Sequence, residues 1–279
     1  MTLAGIATEP FFLPADHGFR FCLLTAPRAG RHVRGAILHV QPFAEEMNKS
    51  RRTVAVTARR LAEDGWAVLQ LDLLGCGDSS GDFGDATWEA WLDDIARGYR
   101  WLETKYRVRP TLWGLRLGGL LVTQCLGQLG AQPDLILWQP VVSGQLHFAQ
   151  FLRLRVAGEI LGDTDTRTDT KSLRERLAGG ETLEIAGYAL APALGEPMAA
   201  AALDLPEGYS GHVWWYEIGS VAGTPLAPAS QAKIAAWRDR GIRVDATTVP
   251  GLPFWQTQEI AECPSLVEAT VQSTLAVPG

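Results

Sequence analysis

Short apolar runs alternate with longer stretches of helical spacing along this chain. FRFCLLTAP (19–27) reads as a strand and GAILHVQP (35–42) as a buried one. In SRRTVAVTARRLAEDG (50–65), Val54, Ala58, Leu61 and Ala62 mark one face of a helix that Gly65 stops. WAVLQLD (66–72) is a second buried strand. TWEAWLDDIARGYRWLETKY (87–106) predicts a helix with an apolar stripe at Trp88, Trp91, Leu92, Ile95, Tyr99 and Leu102. TLWG then predicts a strand, residues 116–130 a helix, and DLILWQP (134–140) another strand.

Residues 141–211 break this rhythm. FAQFLRLRVAGEI has helical character, GDTDTRTDT is polar and loop-like, and YALAPALGEPMAAAALDLP shows no strand alternation. The alternation resumes with strand HVWWYEI (212–218), helix ASQAKIAAWRDRG (229–241), strand IRVDATTVPG (242–251) and a closing helix SLVEATVQSTLA (265–276). Strands separated by helices of this length argue for a parallel sheet of right-handed βαβ units. The expected division is a core of 1–140 and 212–279, with 141–211 inserted after the sixth core strand as a lid or cap.

Composition narrows the function. The 279 residues carry 47% hydrophobic and 20% charged side chains, values ordinary for a soluble globular protein. A net charge of −6 argues against nucleic acid as the partner. Cys22, Cys76, Cys125 and Cys263 lack zinc-like spacing, so no metal is expected, and no cofactor either. Cys76 lies in a glycine turn that looks exposed, although no histidine is evident to activate it. The start MTLAGIATEPFFLP lacks the features of a signal peptide, and no apolar run reaches the roughly 20 residues of a membrane span. A cytoplasmic location is the expectation.

Five segments fall in the order that an α/β-hydrolase needs. PFAEEMNKSRRT follows strand GAILHVQ, where that fold donates an oxyanion-hole N–H. DLLGCGDSSGD (72–82) resembles the glycine turn after the next strand; its glycines could equally serve packing alone. TLWGLRLGG (111–119) has the layout of the nucleophile elbow G-x-S-x-G, with Arg116 at the nucleophile position. Glu217 stands near the place of the triad acid, or is simply a strand end or ion-pair partner. VPGLPFWQTQEI follows the last strand, where a triad histidine belongs, and holds Phe254 and Trp255 instead.

The chain resembles the α/β-hydrolase-like proteins known as exosortase A system-associated hydrolase 2. The strings EPFFL, QPFAEEMNKSRR, DLLGCGDSSGDF, LWGLRLGGLL, EIAGYALAPAL and VPGLPFWQTQEI carry the resemblance over nearly the whole length. It implies the α/β-hydrolase fold, a mostly parallel doubly wound sheet flanked by helices. It also implies a place among exopolysaccharide and surface-protein sorting functions, and names no substrate.

Arginine cannot act as a nucleophile, because its guanidinium stays protonated. None of His17, His32, His39, His147 and His212 replaces the missing base by chain position, although His147 could fold over the site. A cation at a helix N-terminus needs an anion. Glu45, Glu46, Glu217 and Glu259 are internal candidates, and a ligand carboxylate or phosphate is the alternative. Two functions follow. In the first, a hydrolase of an ester, thioester or amide uses Glu46 or Glu217 to activate water, with Arg116 and Lys49 stabilising the anion. In the second, a binding or scaffolding protein has kept the crevice and lost turnover, taking an anionic ligand or a partner protein. The candidate binding set is Glu45, Asn48, Lys49, Arg52, Leu115, Phe254, Trp255 and Glu259. The expected partner is a small acyl molecule with an anionic group, and a homodimer stays open.

Overall fold

The computed structural model describes residues 5–161, 169–221 and 223–275. Most of the polar stretch expected as a loop, 162–168, and the last residue of the expected closing helix, 276, lie outside them. Eight strands form one sheet in the order β1-β2-β4-β3-β5-β6-β9-β10. They are β1 (Ile6–Pro14), β2 (Phe19–Pro27), β3 (Gly35–Val40), β4 (Trp66–Leu71), β5 (Thr111–Leu115), β6 (Leu135–Trp138), β9 (Val213–Gly219) and β10 (Val244–Pro250). β1 and β2 pair antiparallel, β2 joins β4 antiparallel, and the remaining pairs are parallel. This is the α/β-hydrolase arrangement. The sequence pattern did not show β1, because its residues are mostly exposed on an edge strand and lack a buried face.

Alternate side chains on the strands build two cores. Leu38, Val40, Leu69, Leu112 and Leu137 face helices α2 (Trp88–Tyr106), α3 (Leu117–Leu129) and α7 (Pro228–Asp239). Ile37, Val68, Trp113, Ile136 and Trp138 face α1 (Glu45–Glu63) and α8 (Pro264–Leu275). Trp113 and Trp138 are both fully buried and meet edge to face, with ring centroids 4.5 Å apart. Trp138 Nε1 donates to Thr270 Oγ1 at 2.9 Å, which ties the sheet to α8. A buried indole without such an acceptor would cost about 1–3 kcal/mol.

Between β6 and β9 come α4 (Gly144–Leu161), α5 (Thr170–Ala178), the hairpin β7 (Leu183–Ile185) and β8 (Tyr188–Leu190), and α6 (Pro192–Ala200). α4 packs tightly on the end of α6, where a Cβ at Gly144 would lie 1.9 Å from the Met198 carbonyl oxygen. Cys76, expected to be exposed, is buried, and burial pushes its thiol up to about 12, which excludes it as a thiolate nucleophile.

Trp138→Ala removes both the aromatic contact and the hydrogen bond. It should destabilise the protein by about 3–5 kcal/mol in urea denaturation. A loss below 1 kcal/mol would contradict this account of the α1–α8 core.

Candidate functional site

Two strand-to-helix crossings create the site. β5 passes into α3 with Arg116 alone between them, at φ 55° and ψ −118°. A non-glycine residue rarely takes this conformation, and its cost must be met by the surroundings. Here the surroundings are backbone. Arg116 N donates to the Trp138 carbonyl at 2.9 Å, and its own carbonyl accepts from Gly119 N at 3.0 Å and Val141 N at 3.2 Å. Glycine permits the close approach: a Cβ at Gly118 would stand 2.2 Å from the Val40 carbonyl oxygen. The second crossing runs from β3 to α1 through Ala44, at φ 50° and ψ −126°. The helix therefore begins at Glu45, earlier than the apolar spacing indicated, and its first turn carries Glu45 and Glu46.

Glu46 and Arg116 meet where the crossings converge. Arg116 Nε donates to Glu46 Oε1 at 3.2 Å, and both side chains are largely covered. The guanidinium carbon lies 5.4 Å from the centre of the Trp255 ring, within cation–π range. No other partner engages Arg116 among the described residues, so its terminal nitrogens are free to donate. Glu46 Oε2 is buried without a hydrogen-bond partner among those residues. Burial pushes the Glu46 carboxyl above its usual range, and the Arg116 charge and hydrogen bond only partly offset this.

The pair borders a cavity of about 270 Å³. Glu45, Lys49, His147, Gln150 and Gln256 complete its polar lining, while Phe43, Phe151, Leu154 and Trp255 supply apolar walls. Lys49 pairs with Glu45 at 3.1 Å. His147 projects from the first turn of α4 and packs edge to face on Phe43, at 5.9 Å between centroids. Neither of its ring nitrogens has a partner among the described residues. Burial, aided by the Arg116 charge, pushes its pKa down to about 3, so the imidazole is neutral near pH 7. Among the described residues, the lining includes no serine, threonine, tyrosine or cysteine.

The structure gathers some expected site residues and separates others. Arg116, Glu45, Glu46, Lys49 and Trp255 line the cavity. Asn48 instead faces an adjoining space of about 190 Å³, beside Cys76 and Tyr188. Leu115 and Phe254 are fully buried in the α1–α8 core, where they shape the wall from behind. Arg52 pairs with Glu262 at the surface, and Glu259 is exposed; neither lines the cavity. Glu217 is also elsewhere. Its Oε1 accepts from Trp215 Nε1 at 3.2 Å and its Oε2 from Ala227 N at 2.9 Å, beside the start of α7, so it cannot reach water in the cavity. His147 and Phe151 come from α4. The chain order allows His147 to fold over the site, whereas the helical character of FAQFLRLRVAGEI is the only sequence signal for Phe151 and does not say which face turns inward.

Among the described residues, no cluster suited to a metal ion occurs, and no helix is long and apolar enough to cross a membrane.

Comparison with known proteins fits this architecture. The fold and the elbow place the chain in the α/β-hydrolase superfamily. Residues 31–177, more than half of the 279, match the family described as serine aminopeptidase S33, and the chain belongs to that family. Among solved structures it is similar to Est1E from Butyrivibrio proteoclasticus with bound ferulic acid. That likeness has 19% identity and a TM-score of 0.66 over 95% of this chain and 98% of that one. A highly thermostable carboxyl esterase from Bacillus coagulans, in complex with glycerol, gives 15% identity and 0.62 over 97% and 99%. XC6422 from Xanthomonas campestris, an α/β serine hydrolase without a lid, gives 14% and 0.57 over 96% and 93%. At such identities the likeness establishes the fold alone. A search of curated proteins finds no match.

Two buried neutral histidines make stability depend on pH. His39 and His147 both have folded pKa values near 3, below the unfolded value of 6.5. Between these limits the unfolded chain binds more protons, so each histidine's contribution to stability is lost as pH falls from 6.5 toward 3. Glu46, with its raised pKa, acts in the opposite sense above its unfolded value of 4.5. A variant comparison isolates one group. From pH 6.5 to 5, His147→Phe should lose about 2 kcal/mol less stability than the parent in urea titrations, at ~1.4 kcal/mol per pH unit. Identical losses would show that His147 is not held neutral.

Proposed function

We propose that this protein binds a small acyl or aryl carboxylate, with Arg116 gripping the anionic group and no acyl-serine forming. The supporting observation is that the Arg116 terminal nitrogens lack a protein partner in a cavity walled by Trp255, Phe43 and Phe151. A guanidinium fork matches a carboxylate bidentately, and the aromatic walls suit an apolar tail. About 270 Å³ lies just under the ~300–1,000 Å³ of drug-sized pockets, so the ligand is small. Acyl transfer by the usual route of this fold needs a nucleophile with a base in reach. At the elbow Arg116 supplies neither. The inserted segment 141–211 is the cap in this reading, since α4 carries His147 and Phe151 to the cavity. The resemblance to exosortase A system-associated hydrolases supports an acyl or glycan intermediate of exopolysaccharide chemistry as the source of the ligand.

A second reading keeps turnover. The presence of Glu46 in the cavity favours it, because a carboxylate whose pKa is raised by burial is a stronger base toward a water attacking an ester, thioester or amide. Lys49 and Arg116 would then stabilise the oxyanion. Glu217 has no part in this reading, given its engagement beside α7.

The two readings separate in one set of assays. Calorimetry with 3-phenylpropanoate should show binding, weakened roughly 10- to 100-fold in Arg116→Ala, as expected for ~1.5–3 kcal/mol of charge-assisted hydrogen bonding. p-Nitrophenyl and CoA esters should give blank rates, and a fluorophosphonate probe should label nothing at the elbow. Ester turnover abolished by Arg116→Ala or Glu46→Gln would favour the hydrolase, and equal binding by parent and Arg116→Ala would overturn the binding site.

A further inference from the structure

We propose that ligand binding here is a carboxylate exchange coupled to a proton: the incoming anion takes Arg116, and Glu46 receives one proton from solvent. This rests on the reading of the cavity as an anion site and says how that site changes charge when filled.

The geometry carries the argument. Glu46 is attached to Arg116 through one hydrogen bond only, Nε to Oε1 at 3.2 Å. Its second oxygen is buried and lacks any partner among the described residues. The guanidinium therefore does two jobs along separate edges: the Nε edge holds the protein's carboxylate and the terminal edge faces the ligand. Two carboxylates on one guanidinium leave a net negative charge in a covered place. Like charges sharing a buried site drive one of them to take a proton.

Which carboxylate takes it follows from the surroundings. The ligand's carboxylate would keep both oxygens on the terminal nitrogens in a bidentate pair. Glu46 Oε2 has no donor to hold its charge, and burial already favours the neutral carboxyl. The other groups facing the pair do not compete. From α1, Glu45 and Lys49 neutralise one another at 3.1 Å. From α4, His147 stays neutral, with a pKa near 3. The loop after β10 contributes Trp255 and Gln256, which do not titrate in this range.

The bond changes balance without any further reactant. The Glu46–Arg116 ion pair becomes a neutral carboxyl with a new O–H, the proton comes from the buffer, and the ligand anion restores the charge opposite Arg116. Glu46 then stands beside the bound carboxylate as a proton donor.

Calorimetry of 3-phenylpropanoate binding, repeated from pH 5.5 to 8.5, tests this directly. The ligand is ionised throughout that range. Affinity should fall as pH rises, and in Glu46→Gln it should be level with pH. At pH 7.5, wild-type heats in MOPS and in Tris should differ by the ionisation enthalpy of the proton taken up, a readout that needs no variant. Wild-type binding that is level with pH, with no buffer-dependent heat, would overturn the exchange while leaving the anion site intact. Absence of binding in both wild type and Glu46→Gln would overturn the anion site and the exchange together.

Discussion

The contact between Arg116 and Glu46 organises the protein's crevice. It joins the two crossings, β5 to α3 and β3 to α1, and each delivers its residue from a positive-φ turn. Neither backbone could relax freely. Arg116 is fixed by three main-chain hydrogen bonds, and Gly118 lies where any side chain would collide with Val40. The sheet thus forces a long cation to the crest, at the positive end of α3, and the first turn of α1 meets it with a carboxylate.

Such a pair does little for stability. Moving both groups out of water costs more than the attraction returns unless every lone pair is satisfied. Glu46 Oε2 is not satisfied by any described residue, and its carboxyl pKa rises in spite of the adjacent cation. Two lone carboxylate and imidazole groups, Glu46 and His147, sit under-bonded around one charge-bearing fork. A core built for stability would replace them with leucine and phenylalanine. Their place next to aromatic walls supports the proposed ligand site.

Much of this was legible in the chain. The alternation of buried strands with striped helices gave the α/β-hydrolase sheet, since parallel strands covered on both faces read as continuous apolar runs. TLWGLRLGG showed the elbow because glycine has to stand where backbones touch, and it showed that a cation occupied the tip. Position after a strand also suggested Glu46 and Trp255. The same logic failed for Glu217, whose carboxylate is taken up beside α7, and for Glu259, which stays at the surface. Order along a chain says which strand end a residue occupies, not which way its side chain turns. Phe151 was hidden for a different reason, and His147 was only suggested: both reach the cavity through the packing of α4 against α6, which no local periodicity encodes.

The α/β-hydrolase sheet carries a crest that, in the proposed reading, binds an anion. The sharp turn from β5 into α3 holds Arg116 at its tip, where the proposed reading puts the ligand's anionic group. The most direct test of that account is a crystal structure with 3-(4-bromophenyl)propanoate, phased on the bromine anomalous signal. The account predicts the bromine against Trp255 and Phe151 and the carboxylate on the terminal nitrogens of Arg116. A cavity holding only solvent, with those nitrogens bonded to Glu45 or another protein carboxylate, would contradict it.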